Sequence, residues 1–332
     1  MDIIKSLFWN GEERRLRLVW RFLVFLLVLA PALAAAQALL YFIAPTLLEA
    51  LQKGEGPGFI SGWALSEWLM LIALIVTLFI IGRWVDRRPF SDYGFRLGKR
   101  WWLDLAFGLG LGALLMTGIF VVESLLGWVQ VTGTMQAPAG STFAASILTA
   151  AGLFLAVGVF EELLSRGYLL HNLAEGLNFK FWTPAIALAL AWLFSSSFFG
   201  LAHASNPNAT AISIINLVLA GLFLGLGYVI TRDLAIPIGL HIAWNFFEGN
   251  VFGFPVSGTP VNQVTFIAIQ QRGPELWTGG AFGPEAGMIG NVAILIGAAL
   301  ILAWVKWRYG RVQLQASIPL PPSKKRADQQ SQ

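Results

Sequence analysis

Long apolar runs, separated by short polar or glycine- and proline-bearing connections, set the pattern of this chain. Eight of them, at about 18–44, 62–84, 102–127, 144–166, 184–203, 210–230, 234–251 and 288–307, reach or approach the roughly 20 residues with which an α-helix crosses a hydrocarbon core of about 30 Å. The pattern predicts an all-α fold, a polytopic membrane helical bundle of about eight transmembrane helices. One integral membrane domain, 1–311, is followed by a basic tail at 312–332. Pro319, Pro321, Pro322 and Lys324-Lys325-Arg326 mark that tail as disordered and cytoplasmic. The longest stretch without a helical pattern, 251–287, is rich in glycine and proline. It reads either as a lid over a site or as an interfacial cap with Phe252, Phe254, Phe266 and Trp277 at headgroup level.

Composition agrees with this reading: 56% of the 332 residues are hydrophobic and 12% are charged. Lysine and arginine cluster in alternate connections: Lys5, Arg14, Arg15 and Arg17; then Arg83, Arg87, Arg88, Arg96, Lys99 and Arg100; then Arg308, Arg311 and the tail. The positive-inside rule therefore puts both termini in the cytoplasm, with an even number of spans. The net charge of +4 reflects that topology and attraction to anionic membrane lipid, and no nucleic-acid partner is implied. The first span is too long for the apolar region of a signal peptide and is expected to be retained. With no cysteine in the chain, disulfides, thiolate nucleophiles and Cys-based zinc sites are excluded.

Two glycine pairs, Gly108-x-x-x-Gly112 and Gly221-x-x-x-Gly225, lie inside apolar spans with no strand before them. Their spacing predicts close helix packing in the membrane and does not fit a phosphate loop. The first three spans carry nothing equivalent to the polar motifs of the later ones, which weighs against an inverted-repeat transporter.

Those motifs are Glu161-Glu162-x-x-x-Arg166, Phe199-x-x-x-His203 and His241-x-x-x-Asn245. Ionisable groups at such depth cost roughly 2.5–3.5 kcal/mol each on insertion scales, so they should face one another or a water-filled cavity. Neighbours on a helix point about 100° apart, whereas residues four apart share a face. Arg166 is therefore expected to neutralise Glu162 while Glu161 faces a cavity as a general base. Two chemistries suit the set. Glu161, His203 and His241 could hold a divalent metal such as zinc with an open position for water. Alternatively, Glu161 and one histidine activate water without a metal while the other histidine and Asn245 donate to an oxyanion.

In this order the three motifs resemble those of the CAAX protease and bacteriocin-processing family (CPBP), intramembrane endopeptidases related to the Ras-converting CAAX endopeptidase. The resemblance rests on Glu161-Glu162-Leu-Leu-Ser-Arg166, Phe199-Gly-Leu-Ala-His203 and His241-Ile-Ala-Trp-Asn245, and places a family-like core at about 144–251. It implies that Glu161 activates the hydrolytic water, that His203 assists it or binds metal, and that His241 and Asn245 complete the site. Glu162, Arg166 and Phe199 would support them. The implied substrate is a membrane-associated peptide or lipidated protein, prenylated CAAX-type or leader-bearing, and the implied location is a bacterial cytoplasmic membrane. Oligomeric state is not legible. The competing readings are a non-catalytic membrane binding or immunity protein and an ion-coupled transporter.

One conflict stands in the sequence. With simple crossings, Glu161 falls in the cytoplasmic half of its span, whereas His203 lies roughly 29 Å along the next one, near the outer face. Either the fourth span runs on past residue 166, or the turn 203–208 is sunk into the bundle. Among other polar residues, His171 and Glu175 are expected at a solvated interface, and Ser195, Ser196 and Ser197 either line a groove or bond to backbone. Glu67, Glu123 and Asn291 are expected near the outer interface, and Glu248 is the leading additional participant.

Overall fold

A computed structural model describes residues 7–322 except Glu12 and Pro57, so Lys5 and the tail segment 323–332 lie outside the described residues. Among the described residues, seven helical segments are long and apolar enough to cross a membrane. They are α1 (Leu18–Ile43), α3 (Phe59–Ile81, continued to Asp86 by a π-helical turn), α4 (Lys99–Leu125), α5 with its continuation (Phe143–Gly176), α7 (Pro184–Ala202), α8 (Ala211–Thr231) and α10 (Met288–Tyr309). A short α2 (Pro45–Lys53) follows α1. The predicted span at 234–251 is α9, Ala235–Phe246, whose 12 residues are extended by a five-residue π-helical turn, Phe247–Val251.

The glycine pairs explain why α9 sits at the centre. On α4, a Cβ added at Gly112 would lie 2.6 Å from the Leu240 carbonyl and 2.8 Å from the Trp244 nitrogen, and one at Gly108 would meet Ile236 and Leu240 backbone. Backbone thus touches backbone along the α4–α9 seam, the close approach that small residues permit in membranes. Gly221 and Gly225 on α8 make the matching approach to Ser196 and Trp192 of α7. Both glycine motifs are packing motifs.

The fourth span resolves the depth conflict. It comprises α5 (Phe143–Glu162), a π-helical segment (Leu163–Leu170) and α6 (His171–Gly176), so it runs ten residues past Arg166. Glu161 therefore stands roughly 22 Å above the end of α6, and His203 roughly 28 Å above the start of α7, at 1.5 Å per residue. The two antiparallel helices bring them to a common level.

Three expectations are corrected. His171 and Glu175 are buried, because α6 is covered by arginines from distant segments. Glu175 Oε2 accepts from Arg15 at 2.8 Å and Arg88 at 2.7 Å and lies 3.2 Å from Arg21 Nη1. Asp86 joins this cluster through Tyr93 and Asn172. The first part of the predicted tail is packed: Gln315 bonds to the backbone of Val229 and Ile230, and Ile318 is fully buried. Apolar Ile318 and Leu320 among the prolines give that segment a reason to fold back.

The third correction concerns the outer connections. Residues 129–136 form β3 and residues 265–271 form β4, an antiparallel pair running from Val129 opposite Gln271 to Gln136 opposite Thr265. Two shorter strands, β1 (Trp9–Asn10) and β2 (Arg15–Leu16), pair near the N-terminus. The segment 251–287 is consequently an ordered cap over the bundle, with Phe252 and Phe254 buried in the main core. Glu123 does not reach the interface: it is buried under the cap and accepts from Gln271 Nε2 at 2.9 Å. Asn291, on α10, donates to Asn216 Oδ1 at 3.1 Å.

Candidate functional site

A cavity of about 340 Å³ opens between α3, α5, α7, α8, α9 and the cap, and Glu161, Phe199, His203, His241 and Asn245 all line it. Each motif reaches it by a different route. The first arrives at the end of α5, just before the helix widens into the π-helical segment, a distortion frequent at functional sites. His203 is the C-cap residue of α7, held by a hydrogen bond from its Nδ1 to the Phe199 carbonyl at 2.8 Å. His241 and Asn245 lie one turn apart on α9.

The adjacent glutamates address the two nitrogens of one imidazole. His241 Nδ1 is 2.8 Å from Glu162 Oε1, while His241 Nε2 is 3.9 Å from Glu161 Oε2. A carboxylate at Nδ1 requires a proton there, so neutral His241 exposes a bare Nε2 lone pair toward Glu161. His203 repeats the arrangement: a carbonyl can only accept, so Nδ1 carries the proton and Nε2 faces Glu161 Oε2 at 4.0 Å.

Glu162 is compensated. Its Oε1 also accepts from Arg166 Nη1 at 2.8 Å, and Arg166 Nη2 donates to the Gly221 carbonyl at 2.8 Å. The guanidinium lies 4.6 Å from the centre of the Phe199 ring, which itself stands 4.9 Å from His203 and 6.0 Å from His241. Phe199 therefore braces both imidazoles against a buried cation. Glu162 and Arg166 are fully buried, so the pair is a desolvated, charge-assisted contact.

Glu161 differs from its neighbour. Its Oε2 is buried without a hydrogen-bond partner, and its side chain retains 27% exposure toward the cavity. Two hydrogen bonds of about 2.8 Å from one water, spanning the observed 3.9–4.0 Å, would subtend roughly 90°. The spacing thus suits a water shared between the carboxylate and either imidazole. A tetrahedral zinc with ligand bonds of about 2.0–2.2 Å needs N···O separations near 3.4 Å, so the observed ones are too wide. Among the described residues, no group of three or more His, Asp or Glu is gathered tightly enough to hold a metal ion. The donor types fit a His-His-Glu centre, but their present spacing does not.

Two cavity carboxylates were not recognised as such in the sequence. Glu67, on α3, accepts from Trp63 Nε1 at 3.0 Å, and it lines the cavity where an outer interface position was expected. Glu285, from the cap, accepts from the Ser257 backbone nitrogen at 2.8 Å and the Ser257 hydroxyl at 2.5 Å. Desolvation raises the Glu285 carboxyl above the ordinary range, opposed by the Ser257 hydrogen bonds and by the nearby imidazoles of His203 and His241. Asn206 ties the His203 turn to the same cap, donating to the Ser257 carbonyl at 2.9 Å. No spacing motif links Glu67 or Glu285 to the others, so only the fold reveals them. Glu248 is buried in the π-helical turn after α9 and is not part of the cavity wall. Ser195 and Ser197 bond to backbone carbonyls and stay out of the cavity wall as well.

Residues 143–247, about a third of the chain, match the family model described as type II CAAX prenyl endopeptidase Rce1-like. All three motifs fall inside the match, which supports the CAAX protease and bacteriocin-processing family. No curated protein and no solved structure matches the chain.

Proposed function

We propose that this chain, through its CAAX-endopeptidase-like core, is an intramembrane endopeptidase that hydrolyses a peptide bond of a membrane-associated substrate by Glu161-activated water. The observation that carries the reading is the convergence of His203 Nε2 and His241 Nε2 on one Glu161 oxygen, at 4.0 and 3.9 Å, inside a cavity within the bundle. A water held there gives a proton to Glu161 as it attacks the carbonyl carbon, and Glu161 returns it to the leaving amine. In this reading the Asn245 amide, one turn beyond His241, donates to the oxyanion of the tetrahedral intermediate. Glu162, Arg166 and Phe199 hold the imidazoles and carry no proton in the reaction.

The cavity wall is mostly apolar and aromatic, with Trp63, Phe154, Phe160, Phe198, Phe223 and Trp244 beside the polar groups. Such a wall accommodates a peptide carrying a lipid or long apolar side chains. We assign no step to a metal, because the spacing of the donors does not close on one. The meeting of Glu161, His203 and His241 in one cavity supports hydrolysis as the reading.

The test is mass-spectrometric detection of products from prenylated CAAX and unmodified peptides, incubated with purified protein and with Glu161→Ala. Products from the wild-type protein alone are expected. Equal product from Glu161→Ala would sink the mechanism.

A further inference from the structure

His241 and His203 are held in unequal ways. His241 lies within α9, buried, with Glu162 Oε1 at 2.8 Å from its Nδ1. His203 instead closes α7, and a helix end is where backbone groups run out of partners and the chain opens most readily. Its Nδ1 bonds to the Phe199 carbonyl, which belongs to the same terminal turn, so that contact travels with the helix end. Whatever fixes this imidazole beside Glu161 has to reach it from outside α7.

The outer cap does so. Asn206 donates from its backbone nitrogen to the His203 carbonyl at 3.0 Å and from its side chain to the Ser257 carbonyl at 2.9 Å. Gly258 lies so close to the Pro207 carbonyl that a Cβ built there would clash with it outright, and its φ of +80° is one that other residues rarely adopt. The Gly258 nitrogen donates to the Phe282 carbonyl at 2.7 Å, and Ser257 donates twice to Glu285 Oε2. Ser257 itself has φ +48°, a left-handed backbone that a serine keeps only where its surroundings over-determine it. Two arms of the cap, 256–259 and 280–285, thus close together on the turn that follows His203. Glu285 accepts both bonds through one oxygen, so the contact is made whether the carboxyl group is ionised or protonated.

Resting on the endopeptidase reading, we propose that Asn206, Ser257 and Gly258 are positioning residues for the reaction: the cap clasps the end of α7 and thereby fixes His203 Nε2 beside Glu161. Glu285 belongs to the clasp as the acceptor that anchors Ser257, which accounts for a carboxyl group in a mostly apolar wall. The clasp acts on the rate through one imidazole. Opening it leaves the apolar substrate surface of α3, α5 and α8 in place and displaces His203, and a misplacement of about 1 Å in a reacting group costs on the order of 10²-fold in rate.

The chain has three histidines, so 15N-histidine NMR of the full-length protein in detergent follows each ring, with His171, which does not line the cavity, as internal reference. Spectra, melting temperature, and kcat and KM on a prenylated CAAX peptide are recorded for wild type, Asn206→Asp, Asn206→Gln and Gly258→Ala. Asn206→Asp keeps the shape and loses the donor, whereas Asn206→Gln keeps the amide. Gly140→Ala, at a left-handed glycine with open space around it, controls for backbone strain. In Asn206→Asp and Gly258→Ala the His203 signals are expected to move while those of His171 stay, and kcat falls on the order of ten-fold or more with KM within about two-fold. Asn206→Gln recovers most of the kcat, and Gly140→Ala behaves as wild type. Unmoved His203 signals, a loss carried by KM, or a normal kcat per folded molecule in Asn206→Asp or Gly258→Ala overturns the proposal. In wild type the His203 ring is expected to be as rigid as that of His241, and a ring that samples several positions overturns the proposal without any variant having to fold. Absence of cleavage by wild type counts against the endopeptidase reading, while the spectra still decide whether the cap holds His203.

Discussion

His241 presents its Nδ1 to Glu162 Oε1 at 2.8 Å, within a region from which solvent is excluded. That contact decides which nitrogen of the ring carries its proton, and so which one is free to face Glu161. In the proposed mechanism the adjacent carboxylate is a positioning group, although it stands next to the proposed base in sequence.

Replacing Glu162 by Gln removes the charge that holds both His241 and Arg166. The expected result is a fall in kcat on the order of 10–100-fold, the range for losing a carboxylate behind a metal-ligating histidine. Steady-state kinetics on a cleavable peptide would check it, with KM nearly constant. An unchanged kcat would mean that packing alone orients the ring.

Asn245→Ala should lower kcat by about 10²–10³ if the amide donates to the oxyanion. The KM of the same peptide should stay within about two-fold, because the contact strengthens only in the transition state. A rise in KM with kcat intact would reassign Asn245 to substrate binding.

Exhaustive dialysis against a chelator should leave most of the activity, since Glu161 stands 3.9–4.0 Å from both imidazoles and no tight three-donor cluster exists among the described residues. Loss of activity that zinc restores stoichiometrically would show that the three side chains draw together around an ion.

Glu175→Ala leaves Arg15, Arg21 and Arg88 without the carboxylate on which they converge. Breaking one partner out of a buried ionic cluster typically costs 3–5 kcal/mol. The melting temperature in detergent should fall markedly, while the protein that remains folded keeps its kcat, because this cluster is separate from the cavity. A melting temperature equal to that of wild type would mean the arginines find solvent or lipid phosphate instead.

Gly112→Val tests the α4–α9 seam. The added Cβ would meet the Leu240 carbonyl at 2.6 Å and the Trp244 nitrogen at 2.8 Å, with backbone on both sides and no flexible side chain to yield. Overpacking of this kind costs about 1–3 kcal/mol. Because His241 lies between those two residues, kcat should fall along with stability. Stability lost with full activity would show that the seam moves without carrying the histidine.

The residues that converge at the site were legible because each pair sits four apart on a helix, where sequence spacing fixes a shared face. The Glu162–Arg166 pair and the exposure of Glu161 to a cavity followed from that geometry. Burial of Glu175 did not, since its arginine partners lie up to 160 positions away in sequence. An i,i+4 pair of polar residues looks the same whether solvent or arginines cover it. The β3–β4 pair is not legible in the sequence, because its strands meet only across more than 100 intervening residues. Glu67 and Glu285 share that difficulty: a lone acidic residue near a predicted span end has no partner in the local sequence to reveal where it points.

The position of α9 has a mechanical consequence. Ten of its twelve residues are buried, so His241 and Asn245 ride on a helix that scarcely meets lipid. His203 ends α7, whose Leu193, Phe194 and Leu201 are exposed. Changes in bilayer thickness or lateral tension therefore act directly on one imidazole and only through protein on the other. In the proposed mechanism the distance between them, and with it turnover, is then expected to vary with the thickness of the host bilayer.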